Sequence, residues 1–138
     1  MVGAVRKSVD VVFVIVCTAI FLWGGLAIAE EAPLVPEVAK QKLGERVWVE
    51  LLVVSAKDRL EKRGEIYLDS QLDFRDEKNL AVVITRRGAD SLRGQGIFSP
   101  AEHFQKKLIR VKGTVKEVDH VRRIEVDEAE QIELAPQP

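Results

Sequence analysis

The run "LIRVKGTVKEV", residues 108–118, constrains the fold more than any other stretch of the chain. Ile109, Val111, Gly113 and Val115 alternate with Arg110, Lys112, Thr114 and Lys116. A period of two puts the first set on one face and the second on the other, which is the pattern of a strand with one buried side. Glycine inside a strand marks a bend or a bulge, so the strand is expected to turn at Gly113.

The rest of the pattern is also of strands. In "RVWVELLVVS", Val47, Val49, Leu51 and Val53 share one face, with Trp48, Glu50, Leu52 and Val54 on the other, predicting a long first strand. "AKDRLEKRGE" reads as a charged turn closed by Gly64, "IYLDS" as a second strand and the β-branched "LAVVIT", residues 80–85, as a buried third. "RRGADSLRGQG" reads as a connection or a frayed helical turn. Ser99, Pro100 and Glu102 have the spacing of N-cap, N1 and N3 and predict one short helix ending near Lys107. The fourth strand at 108–118 is followed by a fifth in "RRIEVD", with Ile124 and Val126 inward, and by an extended "QIEL".

Three strands, a helix and two strands, with a long first strand and a bent fourth, is the order of the five-stranded Greek-key OB-fold barrel, an all-β fold with one short helix. An open α+β sheet and another small barrel share that order. The stretches "LGERVWVE", "DFRDEKNLAVVI", "SPAEHFQKKLIRVKGTV" and "RRIEVDEAEQIEL" resemble small exported bacterial OB-fold proteins grouped with the tRNA-anticodon-type (tRNA_anti-like) nucleic-acid-binding OB domains. The resemblance spans residues 38–134 and implies binding through a barrel face and its loops, without a catalytic residue.

The amino terminus reads as an address. Arg6 and Lys7 precede an apolar run that reaches Ala27-Ile28-Ala29, the three parts of a secretory signal covering residues 1–29. The uncharged stretch 11–29 is also long enough to be retained as a membrane anchor, the only membrane contact expected. Either way the remainder is exported, as a periplasmic or secreted domain or one held outside the cytoplasm. Residues 30–37, with two prolines, read as a tether, and 135–138 as a tail. Cys17 is the sole cysteine, so the domain after the leader has neither a disulfide nor a thiolate ligand. The chain carries 21 Lys and Arg against 22 Asp and Glu, which argues against the basic field of an obligate nucleic-acid binder.

"LDSQLDFRDEKN", residues 68–79, raises the question of a metal. Counted from Asp69 as a calcium loop, position six is Phe74 in place of glycine and position twelve Leu80 in place of glutamate, so that reading fails. Asp69, Asp73, Asp76 and Glu77 remain as a looser oxygen set, but Arg75 and Lys78 stand among them. The reading adopted is a connection between strands two and three, with no metal, and with Phe74 tucked under the barrel. His103 and His120 lack a metal-ligand spacing, and no nucleophile motif surrounds a serine, so neither a catalytic residue nor a cofactor is expected.

Ligands of OB barrels lie across strands two and three, between the loops joining strands one to two and four to five. Here those loops carry Lys57, Arg59, Lys62 and Arg63, then Arg122 and Arg123, while Tyr67 and Trp48 are available for stacking. Asp58, Glu61, Glu117, Asp119 and Glu125 are interleaved with these cations in sequence. The favoured reading is therefore a monomeric, non-catalytic binding module of the cell envelope for a small molecule, glycan or protein. The alternative is an OB domain that binds single-stranded nucleic acid.

Overall fold

The computed structural model describes residues 32–137, and the leader assigned to residues 1–29 lies outside them. The domain is the compact unit that begins at Pro33. Its elements are α1 (Pro36–Ala39), β1 (Arg46–Leu52), β2 (Ser55–Arg59), α2 (Leu60–Arg63), β3 (Glu65–Asp69), β4 (Ala81–Thr85), α3 (Arg86–Gly94), α4 (Pro100–Phe104), β5 (Leu108–Val118), β6 (Val121–Val126) and β7 (Ile132–Leu134).

The sheet runs in the order β1-β5-β6-β4-β3-β2, with β7 paired to β5. Neighbours are antiparallel except β4 and β6, which are parallel. The two ends of this path, β1 and β2, are successive parts of one bent run of chain. At the bend the partner changes: Val53 N donates to Lys107 O (3.0 Å), and Val54 N to Asp69 O (2.9 Å). The ring is thus carried round by the covalent chain, which makes an OB-like barrel with a few short helices. Strand β5 hands over in the same way, pairing with β1 as far as Thr114 and with β6 from Val115. Gly113 sits at that handover, where an added Cβ would lie 2.6 Å from the Ile124 Cγ2, so only glycine fits the bend.

Alternation predicts the inside of the barrel correctly. Val49, Val53, Ile66, Leu68, Val82, Ile84, Ile109, Val111, Val115, Ile124 and Val126 are fully buried in one core. Each such side chain contributes about 1.5–3 kcal/mol over leaving it in water. Helix α4 adds Phe104, which is 1 % exposed.

Four expectations are corrected. The charged segment after Val54 is a strand over Ser55–Arg59, and only Leu60–Arg63 turns, ending at Gly64 with φ +72°. "RRGADSLRGQG" is helix α3: Thr85 caps it by accepting from Gly88 N (3.2 Å), and Ala89 and Leu92 are buried. The glycine that made it look like a loop is a packing requirement, because a Cβ on Gly88 would stand 2.1 Å from Val126 O. Helix α4 stops at Phe104, with no side-chain cap from Ser99, and Lys106 follows at φ +62°. Finally, the described part of the expected tether is docked from Leu34 on: Leu34 N donates to Trp48 O (2.8 Å), Glu50 N to Leu34 O (2.9 Å), and α1 follows at once. At the other end Gln137 acts as a strand residue does, accepting from Leu108 N (3.1 Å) and donating to Leu108 O (2.9 Å).

Candidate binding cleft

Across the outer face of β2, β3, β4 and β6 the cross-strand register forms two rows, Lys57–Tyr67–Val83–Glu125 and Ser55–Asp69–Ala81–Arg123. An open cleft of about 500 Å³ lies over these rows. Its walls come from three sources. Strand β2 and turn α2 give Lys57, Arg59, Lys62 and Arg63; the loop after β3 gives Phe74; and the β5–β6 hairpin gives Val118, Asp119 and Val121. Ala81 and Val83 are the small apolar floor.

Six of the eight residues singled out in the sequence meet here: Lys57, Arg59, Lys62, Arg63, Tyr67 and Arg123. The other two do not. Trp48 lies on β1 between Arg110 and Lys112, whose charges stand 5.5 and 5.6 Å from its ring, an arrangement that occupies its faces. Arg122 turns to the barrel end, donating to Glu117 Oε1 (3.0 Å) and Lys40 O (3.2 Å).

The charge balance within the cleft differs from that of the whole chain. Strand alternation sends Lys57 and Arg59 to the cleft and Asp58 to the other face, where its Oδ1 accepts from Leu60 N (2.9 Å). Among the described residues, Lys57, Arg59, Lys62 and Arg63 have no carboxylate within ion-pair distance. Arg123, by contrast, is spent within the protein. Its guanidinium meets Glu65 Oε2 and Glu125 Oε2, both at 2.6 Å, and Tyr67 Oη donates to Glu65 Oε1 (2.8 Å). The hydrogen bond from Arg123, helped by Lys116 at 3.0 Å, holds Glu125 below the usual carboxylate range. Burial opposes the charge of Arg123, but its hydrogen bonds to Glu125 and Glu65 outweigh that and raise its pKa. Burial, then the bond to Glu65, raises the Tyr67 phenol, which keeps its proton at neutral pH.

Phe74 is not under the barrel. It is 45 % exposed at the rim of the cleft, with Lys57 Nζ 5.5 Å and the Arg75 guanidinium 5.7 Å from its ring. What anchors the loop is Asn79, which is buried. Its Nδ2 donates to Asp69 Oδ1 (3.0 Å) and Phe74 O (3.2 Å), while its Oδ1 accepts from Gln71 N (3.1 Å) and Ser70 Oγ (3.3 Å). Asp73 and Asp76 each accept from the backbone two residues on, Arg75 N and Lys78 N, both at 2.9 Å. Asp73 and Asp76 are therefore engaged in turns, and among the described residues no three metal-ligating side chains are grouped. Asp69 at the foot of the loop is 2 % exposed, and burial raises its pKa.

No protein-family model matches the chain, and no curated protein sequence matches it. Solved structures do. Asparaginyl-tRNA synthetase from Pyrococcus horikoshii superposes with a TM-score of 0.51 at 16 % identity over 77 % of this chain and 23 % of its own. A putative aspartyl-tRNA synthetase from Leishmania major Friedlin gives 0.50 at 11 % identity over 80 % of this chain and 22 % of its own. An OBody, AM3L09, bound to hen egg-white lysozyme gives 0.52 at 17 % identity over 80 % of this chain and 100 % of its own. The chain spans about a quarter of the length of the synthetases it matches. At such identities the likeness is one of fold, and it agrees with the barrel topology above.

Proposed function

We propose that the domain is a non-catalytic module that binds single-stranded nucleic acid across this cleft. The observation that carries the reading is the set of four cations, Lys57, Arg59, Lys62 and Arg63, gathered on one wall without carboxylate partners. Such a wall suits a phosphate backbone, while Phe74 and Tyr67 offer ring faces for bases. The sequence argument against nucleic acid rested on the near-even charge balance and on interleaved acids, of which Asp119 stays in the cleft lining. Alternation along β2 removes Asp58 from the cleft, and Arg123 takes up Glu65 and Glu125. This reading therefore replaces the envelope module for a glycan or small molecule. The structural likeness to tRNA synthetases is a likeness of fold and is consistent with it.

A protein occupant is the second reading. An OBody of similar fold is bound to lysozyme, and Leu72, 75 % exposed, stands near Phe74 on the same loop. Export, read from the leader, belongs to the proposal as well; a reporter fused after Pro138 that is active only in the cytoplasm would refute it.

The test is fluorescence anisotropy with a labelled single-stranded 12-mer over a range of salt. Four phosphate contacts on a single strand give a slope of log K against log salt near −3, from ~0.7 per contact. Charge reversal at Lys57 and Arg59 should abolish binding while leaving the melting temperature unchanged. Salt-independent affinity, or none at low salt, would sink the nucleic-acid reading.

A further inference from the structure

Asp69 is an outward residue of β3, in line with Glu65 and Tyr67, yet it is almost wholly buried because the loop held by Asn79 folds over it. Its Oδ1 accepts from Asn79 Nδ2, and the carboxylate has no other hydrogen-bond partner among the described residues. Among the described residues, no side-chain oxygen or nitrogen is both sealed from solvent and unpartnered. The second oxygen of Asp69 therefore opens on the cleft, whose lining it joins beside Phe74, Ala81 and Lys57. A buried carboxylate is expensive to keep, and a wall built for phosphates gains nothing from an acid at its floor. The group is suited to a different part of the ligand.

Resting on the reading of the cleft as a single-strand site, we infer that Asp69 selects bases that carry an exocyclic amino group, cytosine above thymine or uracil. An ionised carboxylate only accepts hydrogen bonds. Cytosine presents its N4 amino donor, for which an acidic side chain is the matching acceptor, whereas thymine presents a carbonyl oxygen at that place. A base stacked on Phe74 or Tyr67 has its edge toward the floor, since Phe74 lies on the loop that covers Asp69 and Tyr67 stands two residues away on the same strand face. Asn79 fixes which oxygen is left over, because its amide nitrogen must have an acceptor.

The experiment compares labelled dC and dT 12-mers at pH 7.5. The protein should bind the dC strand roughly fivefold or more tightly, the low end of one well-made base contact. A 12-mer of cytosines lacking the 4-amino group should bind no better than dT. In Asp69→Asn, Asn79 still requires an oxygen, so the new amide nitrogen faces the cleft and donates. The dC preference should vanish or reverse, although both strands bind more tightly once a negative charge is gone. Equal affinity for the three strands would overturn the role of Asp69 and leave the cleft reading standing, as would an unchanged dC to dT ratio in a folded Asp69→Asn. Binding of none of them overturns both.

Discussion

Asn79 Nδ2 reaches Asp69 Oδ1 at 3.0 Å and closes the loop between β3 and β4 over the end of the cleft. The same amide side chain holds Ser70 and Gln71 on one strand end and Phe74 in the loop. One buried side chain therefore sets both the depth of the cleft and the place of its exposed ring.

Two carboxylates of this face should give opposite pH signatures. Asp69 has a folded-state pKa raised by burial. Its contribution to stability is complete below the unfolded value and is lost as pH rises through the folded one. Asp69→Asn should then raise the melting temperature at pH 7 and lose that advantage near pH 3. Glu125 has its pKa lowered by Arg123 first and then by Lys116. Its contribution is present above the unfolded value and is lost as pH falls through the folded one. Glu125→Gln should cost on the order of 1 kcal/mol at pH 7 and almost nothing at acid pH. Denaturant titrations of both variants at the two pH values check the signs.

Gly88 and Gly94 occupy the same helix and should respond oppositely to alanine. At Gly88 the new Cβ would meet Val126 O at 2.1 Å and Ile84 Cγ2 at 3.2 Å, and a strand carbonyl cannot swing aside as a flexible side chain can. Gly88→Ala is expected to cost about 3 kcal/mol, the upper range for overpacking. Nothing lies within 4 Å of a Cβ at Gly94, where alanine should stabilise by roughly 0.5–1 kcal/mol. Chemical denaturation distinguishes the two, and equal effects would mean that Gly88 does not pack against the Val126 carbonyl as described.

What could be read in the sequence was whatever depends on alternation. Ile109, Val111, Gly113 and Val115 face inward, and the ends of β5 fall where the pattern places them. In Ser55–Arg59 the one apolar side chain, Ala56, makes no alternating pattern, and three charged residues and a nearby glycine resembled a turn, so Lys57 and Arg59 were not separated from Asp58. Pairing with β3 supplies the hydrogen bonds that make this charged run a strand, and a partner distant in sequence is not visible in the run itself. Phe74 and Asp69 failed for a related reason. An aromatic in a loop is normally taken for the core and a strand-end aspartate for the surface. The fold-back held by Asn79 exchanges the two.

Phe74 and Phe104 offer a direct check of that exchange. Phe104 is 1 % exposed and Phe74 45 %, so the two rings differ in what truncation removes. Phe104→Ala should destabilise the domain by about 3–5 kcal/mol. Phe74→Ala should change stability by less than about 1 kcal/mol, as a solvent-facing position does. If the cleft binds a single strand, it should also weaken that binding by roughly 1–3 kcal/mol for one lost stack. A melting temperature that falls equally in both variants would return Phe74 to the core.

The β5–β6 hairpin joins Val118 to Val121 through Asp119 and His120, both at positive φ, +51° and +66°. Left-handed backbone at both central positions of a two-residue loop is the geometry that matches the twist of paired strands, and asparagine followed by glycine fits it best. Histidine carries a Cβ that crowds its own carbonyl in that region, at a cost of about 1–2 kcal/mol. His120→Gly should relieve part of that cost and stabilise the domain by roughly 0.5–1 kcal/mol, and Asp119→Asn with it should add a little more. Asp119 lines the cleft beside Val118 and Val121, whereas His120 does not. His120→Gly should therefore raise the midpoint of urea unfolding without changing affinity for a single-stranded 12-mer. Removing the acid at Asp119 should raise that affinity. A His120→Gly protein that unfolds at lower urea than the parent would show that the imidazole makes a contact outweighing its backbone strain.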